Sequence, residues 1–413
     1  MNILYLHQYF RTRSDIGGTR SFEFAKRMVR AGHRVTIMTS SSSDLGWKIT
    51  RKSKVAGIDV IEVRGGYSDY VKGTGLGYFS RVTKFLAFAA ISSIITLTVK
   101  KPDVIFATST PLTIGIPGII ASARFRVPMV FEVRDLWPEA PIQMGALRNP
   151  FLRAAAKSLE LFLYKKAKHI VALSPGMKEG IIKRGIQESK ISMIPNAADL
   201  DLFSPDLDPG KARKALKIED RFVCSYFGSM GEANDLGIVL EAALLLKNKN
   251  ENNIIFVLHG AGKRRIEFEK KARENELSNV LFSSQVPDKS AVADLLAASD
   301  VGMTIYKNLP VLHTCSPNKL FDTFAAGRAA IVNTPGWLQS LVEDNKIGFY
   351  VDPENPNDLV ERIEFLRDNP DIVKEMGRNA RGLATSNFDR EKLANQLIEV
   401  LERASSEKIR TNN

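Results

Sequence analysis

Short apolar stretches alternate with amphipathic ones along the first half of the chain. The first predicted helix places Phe22, Ala25, Met28 and Val29 on one face, at a spacing of 3.6 residues. The predicted strands around it are mainly apolar runs: Asn2 to Tyr9, Val35 to Thr39, Val60 to Arg64, Val104 to Thr108, Met129 to Val133 and His169 to Leu173. Strands that alternate with helices in this way are typical of a parallel, doubly wound α/β sheet.

The same alternation starts again after residue 220. The predicted elements are strands at Phe222 to Phe227, Ile254 to Leu258, Val280 to Ser284 and Val301 to Ile305, with helices from about Asp235 to Lys247 and over Ala291 to Ala298. The sequence therefore predicts a second Rossmann-like domain. Between the two patterns, residues 195–199 and 204–210 have the Pro, Asn, Asp and Gly content of a linker, which places the boundary near residue 200.

Composition favours a folded, intracellular chain. The 413 residues are 44% apolar and 25% charged, which excludes a disordered or fibrous protein. Cys224 and Cys315 form no CxxC pair, so neither a disulfide framework nor a cysteine zinc site is expected. The N-terminal MNILYLHQYF fits a first strand and lacks the features of an export signal. We expect a cytoplasmic protein.

Charge is divided unequally between the two halves. Up to Pro195 there are 30 lysines and arginines against 13 aspartates and glutamates, a net +17, whereas the remainder has 28 against 33, a net −5. This asymmetry suggests that the first half faces a polyanion, either nucleic acid or an anionic membrane; a merely solvated basic surface is the alternative. Nucleic acid has the weaker support, because the sequence has no zinc-finger spacing, RNP-type aromatic motif or basic tail.

The longest apolar run bears on the membrane alternative. From Phe85 to Val99 fifteen residues carry no charge, whereas about 20 are needed to span a bilayer. The run predicts either a buried core helix or a helix lying partly in a membrane interface. Basic residues around it and on a following helical pattern are the candidate membrane contacts: Arg81, Lys84, Lys100, Lys101, Arg153 and Lys157.

Several common chemistries are disfavoured by motif spacing. The chain has no GxxxxGK[ST] phosphate loop, no HExxH pair and no GxSxG elbow. Asp199-Leu200-Asp201 and Asp206-Leu207-Asp208 are DxD triplets, but they lie in the linker, where turn chemistry accounts for them. We therefore expect no metal ion at either triplet.

The densest group of candidate ligand-binding residues surrounds a short helix predicted over Pro317 to Ala326, with Ser316 as its N-cap and Gly327 at its end. Lys319 in the first turn suits a phosphate at the helix N-terminus. Asp322, three residues later, suits the two hydroxyls of a ribose. Phosphate and ribose together indicate a nucleotide, and the alternative is a Lys–Asp pair on the helix surface.

Glycine loops at strand ends add further phosphate-binding candidates. Gly228-Ser229-Met230-Gly231 follows the first strand of the second domain, and Gly17-Gly18-Thr19 follows that of the first. Ligands of doubly wound sheets bind at the carboxyl ends of strands, so facing loops of two such domains would enclose a ligand. Each loop alone is equally consistent with an ordinary turn.

The order of these motifs resembles that of retaining nucleotide-sugar glycosyltransferases of family 4, which have the GT-B fold. The resemblance covers almost the whole chain. The octapeptide Glu132 to Glu139 resembles the corresponding segment in a subgroup of O-antigen and capsule transferases, which includes N-acetylfucosaminyl transferases. It implies two Rossmann-like doubly wound domains that face a central cleft. Residues 1–198 would form the acceptor- and membrane-facing domain, with a last helix of about 390–413 packed back on it, and residues 199–389 the donor domain.

The resemblance implies residue roles. Glu132, Arg134 and Asp135 would orient the sugar and the acceptor. The donor-binding residues would be Gly17, Gly18, Gly228, Ser229, Gly231, Gly260, Gly262, Lys263, Val286, Ser316, Lys319, Leu320 and Asp322. Many members clamp the diphosphate with Arg and Lys where this chain has Ser229 and Asn234, so Lys319 becomes the expected clamp. Arg134 stands where many members have His.

The resemblance also implies an activity: metal-independent transfer of a sugar, of the N-acetylhexosamine type, from a UDP-linked donor, with retention. The acceptor would be a lipid-linked, polyprenyl-diphosphate glycan in surface polysaccharide biosynthesis. We expect no cofactor, no nucleic-acid partner and a peripheral location on the cytoplasmic face of the inner membrane, against its anionic surface. The alternatives are a nucleotide-sugar 2-epimerase on the same fold and a non-catalytic glycan-binding protein on the membrane surface.

Overall fold

The computed structural model describes residues 1–13, 15, 17–65, 78–283 and 289–406, with the backbone alone at residues 78, 79 and 81. Its first sheet has the strand order β3-β4-β2-β1-β5-β6-β7-β8. The strands are β1 (Asn2–Leu6), β2 (Arg34–Ser40), β3 (Thr50–Val55), β4 (Ile58–Val63), β5 (Val104–Thr108), β6 (Met129–Val133), β7 (His169–Ala172) and β8 (Ile191–Met193). All pairings are parallel except β3 with β4.

The second sheet is parallel throughout, with the order β11-β10-β9-β12-β13-β14. Its strands are β9 (Phe222–Phe227), β10 (Ile254–His259), β11 (Val280–Ser283), β12 (Val301–Thr304), β13 (Ala329–Val332) and β14 (Gly348–Tyr350). Two doubly wound α/β domains were predicted from the alternation of strands and helices, and this fold class is confirmed. We call the part built on the first sheet the N-domain and the part built on the second the C-domain.

The helices connect successive strands and cover both faces of each sheet. In the described part of the chain they are α1 (Arg20–Arg30), α2 (Tyr78–Thr96), α3 (Gly115–Phe125), α4 (Glu139–Gln143), α5 (Pro150–Lys166), α6 (Pro175–Lys183), α7 (Gly210–Leu216), α8 (Gly237–Asn248), α9 (Arg265–Glu274), α10 (Lys289–Ala297), α11 (Asn318–Ala325), α12 (Trp337–Glu343), α13 (Pro356–Asp368), α14 (Pro370–Asn387) and α15 (Arg390–Ser406).

Apolar side chains leave both faces of each strand, which is why the strands are apolar runs and not alternating patterns. In β1, Leu4 and Leu6 join a buried cluster with α2, α3 and α5, whereas Ile3 and Tyr5 join a cluster with α1 and α15 on the other face. The carboxyl ends of the strands, and the loops that follow them, are therefore the natural place for a binding site.

The antiparallel strand β3 was not predicted. Its sequence TRKSKV is mainly polar and exposed, so it lacks the apolar signature of a buried strand. It pairs with β4 through a two-residue turn at Ala56 and Gly57, which have φ values of 49° and 83°. Both residues adopt the positive φ of a type I′ hairpin turn.

The chain crosses between the domains twice, and the two crossings touch. The Ala198 amide donates to the Phe388 carbonyl at 3.1 Å. The Arg390 guanidinium donates to Asp199 at 2.7 Å and to the Ala197 carbonyl. The helix that follows, α15, packs on α1 and on β5 and β6 of the N-domain.

Candidate functional site

The helix α11 starts one residue later than predicted, and Ser316 does not cap it. Pro317 is the residue before the first turn. The Ser316 hydroxyl instead accepts from the Asn196 amide at 3.1 Å, and its carbonyl accepts from the Asn196 side chain. The Leu320 side chain is fully buried in the core. Ser316 and Leu320 thus place the helix, while their side chains contact protein.

The groups recorded around the Lys319 ammonium in the described part of the chain are neutral. Its Nζ donates to the Tyr226 hydroxyl at 2.8 Å and to Asn234 Oδ1 at 3.2 Å. It also lies 4.0 Å from the centroid of the Tyr226 ring and 5.3 Å from that of Tyr306. Burial lowers the pKa of Lys319 to about 7. A cation held by neutral groups is suited to an anionic ligand.

The two glycine loops of the C-domain pack on each other beside Lys319. The Gly228 amide donates to the His259 carbonyl at 3.0 Å, and the Met230 amide donates to the Ala261 carbonyl at 2.8 Å. Gly260 has φ +142°, and a Cβ there would overlap the carbonyl oxygen of Gly228. Gly262, with φ +156°, meets the backbone of Met230 in the same way. These glycines are required because two backbones come into contact.

The other predicted residues of these loops face solvent. Ser229 is exposed and Gly231 is partly exposed. The Gly228 position lies next to Lys319, since a Cβ on Gly228 would be 3.4 Å from its Cε. Lys263 is exposed and pairs with Glu232 at 3.4 Å across the two loops. Val286 lies outside the described residues.

Asp322 is buried and lies near Lys289, a cation from α10. One carboxylate oxygen is 3.9 Å from Lys289 Nζ, and Oδ1 has no hydrogen-bond partner in the described part of the chain. Burial raises the pKa of Asp322 to about 6, against the opposing effect of Lys289 and Arg390. The alternative of an exposed Lys–Asp pair therefore does not describe this helix.

In the N-domain, Glu132 is fully buried at the end of β6. Its Oε1 accepts from Arg20 Nε at 3.0 Å and from Nη2 at 2.8 Å, and its Oε2 accepts from the Thr108 hydroxyl at 2.5 Å. Arg20 also donates to the carbonyls of Ile194 and Pro195. This network joins α1, β6 and the segment after β8, and it occupies both oxygens of Glu132.

Arg134 and Asp135 follow β6 and reach the cleft. Asp135 accepts from the Thr110 hydroxyl at 2.9 Å, and burial raises its pKa. Arg134 Nη1 lies 3.1 Å from His7 Nε2. Burial, with the nearby Arg134 and Arg11, lowers the pKa of His7 well below its usual value. The neutral ring accepts from Arg134 at Nε2, which leaves the Nδ1 proton for Ser21 at 2.6 Å.

The two domains meet at these strand ends. A Cβ on Gly18, which like Gly17 is exposed, would be 3.4 Å from the side-chain nitrogen of Asn318 and 3.7 Å from Arg134 Nη2. The Ser174 hydroxyl donates to the Thr314 carbonyl of the C-domain at 2.5 Å. The structure thus brings Gly18, Arg134 and the start of α11 together.

The predicted membrane contacts surround one face of the N-domain. Helices α2 and α5 contribute to the same buried cluster, with α3 between them. Their outer faces carry the exposed apolar residues Leu86, Ile94, Phe151, Leu152 and Phe162. Lys100, Lys101 and Lys157 are exposed, whereas Lys84 and Arg153 are partly so, and the side chain of Arg81 lies outside the described residues. One face of α2 is buried in the core and the other is exposed, and contact of the exposed face with a membrane stays a prediction.

No helix among the described residues combines the length and the hydropathy needed to cross a bilayer. The same residues contain no cluster of three His, Cys, Asp or Glu side chains that could hold a metal ion. Asp199, from the first DxD triplet, is buried against Arg390. The linker carboxylate is thus engaged in an ion pair at the domain crossing.

Sequence reasoning missed the side chains that set the chemistry of Lys319, Asp322 and Arg134. Tyr226 lies in an apolar strand, and Lys289 is 33 positions before Asp322, so no local pattern marks either as a partner. His7 belongs to no HExxH pair, so the sequence did not mark it as a partner of Arg134. Among these partners, Asn234 alone could have been expected near the site, because it lies in the loop that follows β9.

Comparison with known proteins identifies two family models that match this chain. Residues 17–197 match the model of the glycosyl transferase 4-like domain, and residues 209–383 match that of glycosyl transferases group 1. TuaH of Bacillus subtilis, named as a teichuronic acid biosynthesis glycosyltransferase, is 26% identical over 61% of this chain and 62% of its own length. The matched region thus spans about three fifths of that relative.

Two further similarities cover more of the chain. The UDP-Gal:alpha-D-GlcNAc-diphosphoundecaprenol alpha-1,3-galactosyltransferase of Escherichia coli is 23% identical over 70% of this chain and 72% of its own. The crystal structure of Anabaena HepE in complex with UDP-glucose superposes with a TM-score of 0.73 and 18% identity, covering 98% of this chain and 100% of that one. At this identity the structural match concerns the fold.

Proposed function

The chain belongs to the glycosyltransferases, with a glycosyl transferase 4-like half and a group 1 half, and on that premise we propose that it transfers a sugar from a UDP-linked donor to a lipid-linked glycan. The observation that carries the proposal is Lys319, a half-buried cation whose partners among the described residues are neutral, beside the packed glycine loops at the carboxyl ends of β9 and β10. Such a site is completed by a bound diphosphate.

Asp322 supports a nucleoside on the same side of the helix. Its Oδ1 is buried without a partner, and a carboxylate in that position can accept hydrogen bonds from ribose hydroxyls. The E. coli relative named above uses a UDP-sugar, which supports uridine as the base.

The proposed reaction develops negative charge on the leaving group. The bond from the anomeric carbon to the diphosphate breaks with its electrons on the phosphate oxygen. The acceptor hydroxyl takes its place on the sugar, with retention, and its proton leaves with the diphosphate. Lys319 and the amides at the start of α11 stabilise that charge. Asp135 and Arg134 contact the sugar and its leaving group from the N-domain.

Glu132 has a different part in this proposal. Because Arg20 and Thr108 occupy both of its oxygens, we assign it a positioning role. It orders the end of β6, from which Arg134 and Asp135 project.

The surface formed by α2 and α5 supports a lipid-linked acceptor. It combines exposed apolar side chains with basic residues, and the N-terminal half carries a net charge of +17. Such a surface fits the anionic cytoplasmic face of a membrane. The name of the E. coli relative specifies a diphosphoundecaprenol acceptor. We propose a polyprenyl-diphosphate glycan as the acceptor and an N-acetylhexosamine type of donor sugar.

The test is a transfer assay with purified protein. UDP-sugars selected by a thermal-shift screen are incubated with a GlcNAc-diphosphoryl polyprenyl acceptor, and the product is identified by mass spectrometry and its anomeric configuration by NMR. We expect a product with retained configuration, and turnover lowered about 10²-fold or more in Lys319→Ala. Interconversion of UDP-sugars without an acceptor would identify an epimerase, and glycan binding without turnover would identify a binding protein; either result would overturn the proposal.

A further inference from the structure

We propose that Arg134 is the second cation of the diphosphate site and that it and Lys319 hold one diphosphate from opposite domains. The inference rests on the proposed function, because it presupposes a nucleoside diphosphate donor. It assigns Arg134 to the leaving group and not to the sugar ring or the acceptor.

Among the described residues, no carboxylate lies within ion-pair distance of the Arg134 guanidinium, although the charge of Arg134 acts on the neighbouring Asp135. In the part of the chain that the structure describes, its guanidinium is recorded against the His7 ring, and its backbone amide donates to the Ser109 hydroxyl. The neighbouring Asp135 is held by Thr110. His7 accepts one N–H from Arg134 and so fixes the plane of the guanidinium. The structure records no acceptor for the remaining N–H groups of this guanidinium among the described residues, so a ligand can use them.

Six cations near the strand ends have acidic partners. In the C-domain, Lys263 pairs with Glu232, Arg264 with Glu267 and Arg265 with Glu269. In the N-domain, Arg11 pairs with Asp15, Arg13 with Glu23 and Arg20 with Glu132. An ion pair neutralises much of a cation's field, so these residues are poor clamps for a phosphate. Arg134 and Lys319 differ from them in having no such partner among the described residues.

Arg134 lies close to the start of α11, the helix that carries Lys319. Arg134 Nη2 and the side chain of Asn318 both lie within 3.7 Å of the position that a Cβ of Gly18 would occupy. Asn318 immediately precedes Lys319 and begins α11. Opposite them, Ser229 and Asn234 carry no charge, so the C-domain loop supplies no second cation. A diphosphate has two phosphoryl groups and needs more than one cation.

The consequence is that donor binding joins the two domains. A diphosphate held by Lys319 alone would bind to an isolated C-domain site. A diphosphate held also by Arg134 binds fully only when the N-domain is in place, so the ligand itself stabilises the closed cleft.

The proposal is tested by calorimetry with UDP, UMP and uridine on the wild type and Arg134→Met. We expect UDP affinity to fall about tenfold to a hundredfold, as for a lost charge-assisted contact, with uridine affinity unchanged. Arg134→Lys should recover part of the loss, because it restores charge without the planar fork. Arg34→Met, which removes an exposed arginine at the start of β2, is the control and should bind UDP as the wild type does.

Two outcomes separate this inference from the proposed function. We call the pair of Arg134 and Lys319, one from each domain, the split clamp. If Arg134→Met melts like the wild type and binds UDP with unchanged affinity while turnover falls, Arg134 acts on the sugar or the acceptor, and the split clamp is wrong. If the wild type binds neither UDP nor another nucleoside diphosphate, the proposed donor site itself is wrong. If Arg134→Met does not fold, Arg134→Gln decides: UDP affinity equal to that of the wild type would overturn the proposal.

Discussion

At the scale of single residues, two titratable groups of the proposed donor site lose solvent without gaining an equivalent set of charged partners. This loss shifts both of their pKa values. Lys319 has hydroxyl, amide and ring partners and a pKa lowered to about 7. Asp322 has a distant cation and a pKa raised to about 6. Both shifts have desolvation as their largest cause, which disfavours the charged form. In the proposed donor site, a bound nucleotide would restore to each group the hydrogen bonds or charge that burial removed.

These shifts predict a pH optimum for UDP binding between about 6 and 7. Lys319 must be protonated to hold a diphosphate, so affinity should fall as the pH rises above about 7. Asp322 must be ionised to accept from the ribose, so affinity should also fall below about 6. Calorimetric titration from pH 5 to 9 measures both limbs.

Two variants assign the limbs. Lys319→Met should bind weakly and lose the alkaline limb. Asp322→Asn should reduce the acidic limb to the part that protonation of the terminal phosphate of UDP causes, at about pH 6, and should leave the melting temperature near that of the wild type. An affinity for UDP that does not vary over this range would mean that neither group titrates with the ligand.

At the scale of elements, the loops after β9 and β10 act as one unit. Their amides and carbonyls continue the strand ladder past the end of the sheet, with contacts from Gly228 to His259 and from Met230 to Ala261. The close approach leaves no space for a side chain at Gly260 or Gly262. The loop that carries Gly228 is thereby held against Lys319.

Gly260→Ala should therefore reduce both stability and UDP affinity. The added Cβ would overlap the Gly228 carbonyl, which is backbone and cannot move without displacing the loop. Gly185→Ala is the matched control, since Gly185 also has a positive φ, +82°, but nothing within 4 Å of the added atom. The control should cost about 1–2 kcal/mol of strain and leave UDP binding intact. Equal melting temperatures and UDP affinities in the two variants would contradict the packing argument.

The outer face of α2 and α5 makes a separate prediction for membranes. Phe151 is 82% exposed beside basic residues of the N-domain, so Phe151→Glu should lower binding to anionic vesicles about tenfold or more. Ile266→Glu alters a residue that is 75% exposed on α9 of the C-domain and should change nothing. Vesicle sedimentation measures both, with raised salt weakening the wild type. An equal loss of vesicle binding in both variants would contradict the assignment of membrane binding to the outer face of α2 and α5.

The sequence predicted those elements that its local pattern determines. Apolar strands such as Val104–Thr108 and Met129–Val133 appear with the predicted bounds. The polar strand β3 was missed because its stability comes from pairing with β4 and not from burial. The helix carrying Lys319 and Asp322 was located, but Ser316 was taken for its cap because the competing partner, Asn196, is 120 positions away. Long-range partners of this kind leave no local trace.

At the scale of the whole molecule, the two chain crossings form one charged junction. Asp199 is surrounded by Arg390 at 2.7 Å and Lys289 at 3.6 Å, and Lys289 also approaches Asp322. The junction therefore contacts α11, the helix that carries Asp322 and Lys319. Relative motion of the domains must bend the backbone here, since the crossings are the covalent links between the two sheets.

Saturating UDP should compact the molecule about this junction. In the split clamp, the diphosphate draws Arg134 of the N-domain toward Lys319 of the C-domain, so the radius of gyration in solution scattering should fall. A pair of fluorescent probes near Arg13 and Lys263, one on each domain, should report a shorter distance. UMP, which lacks the second phosphoryl group, should compact the molecule less, and Arg134→Met should abolish the difference between UDP and UMP. A molecule that binds UDP tightly without any change in these distances would have a cleft that is closed before the donor arrives, and donor binding would then not drive closure.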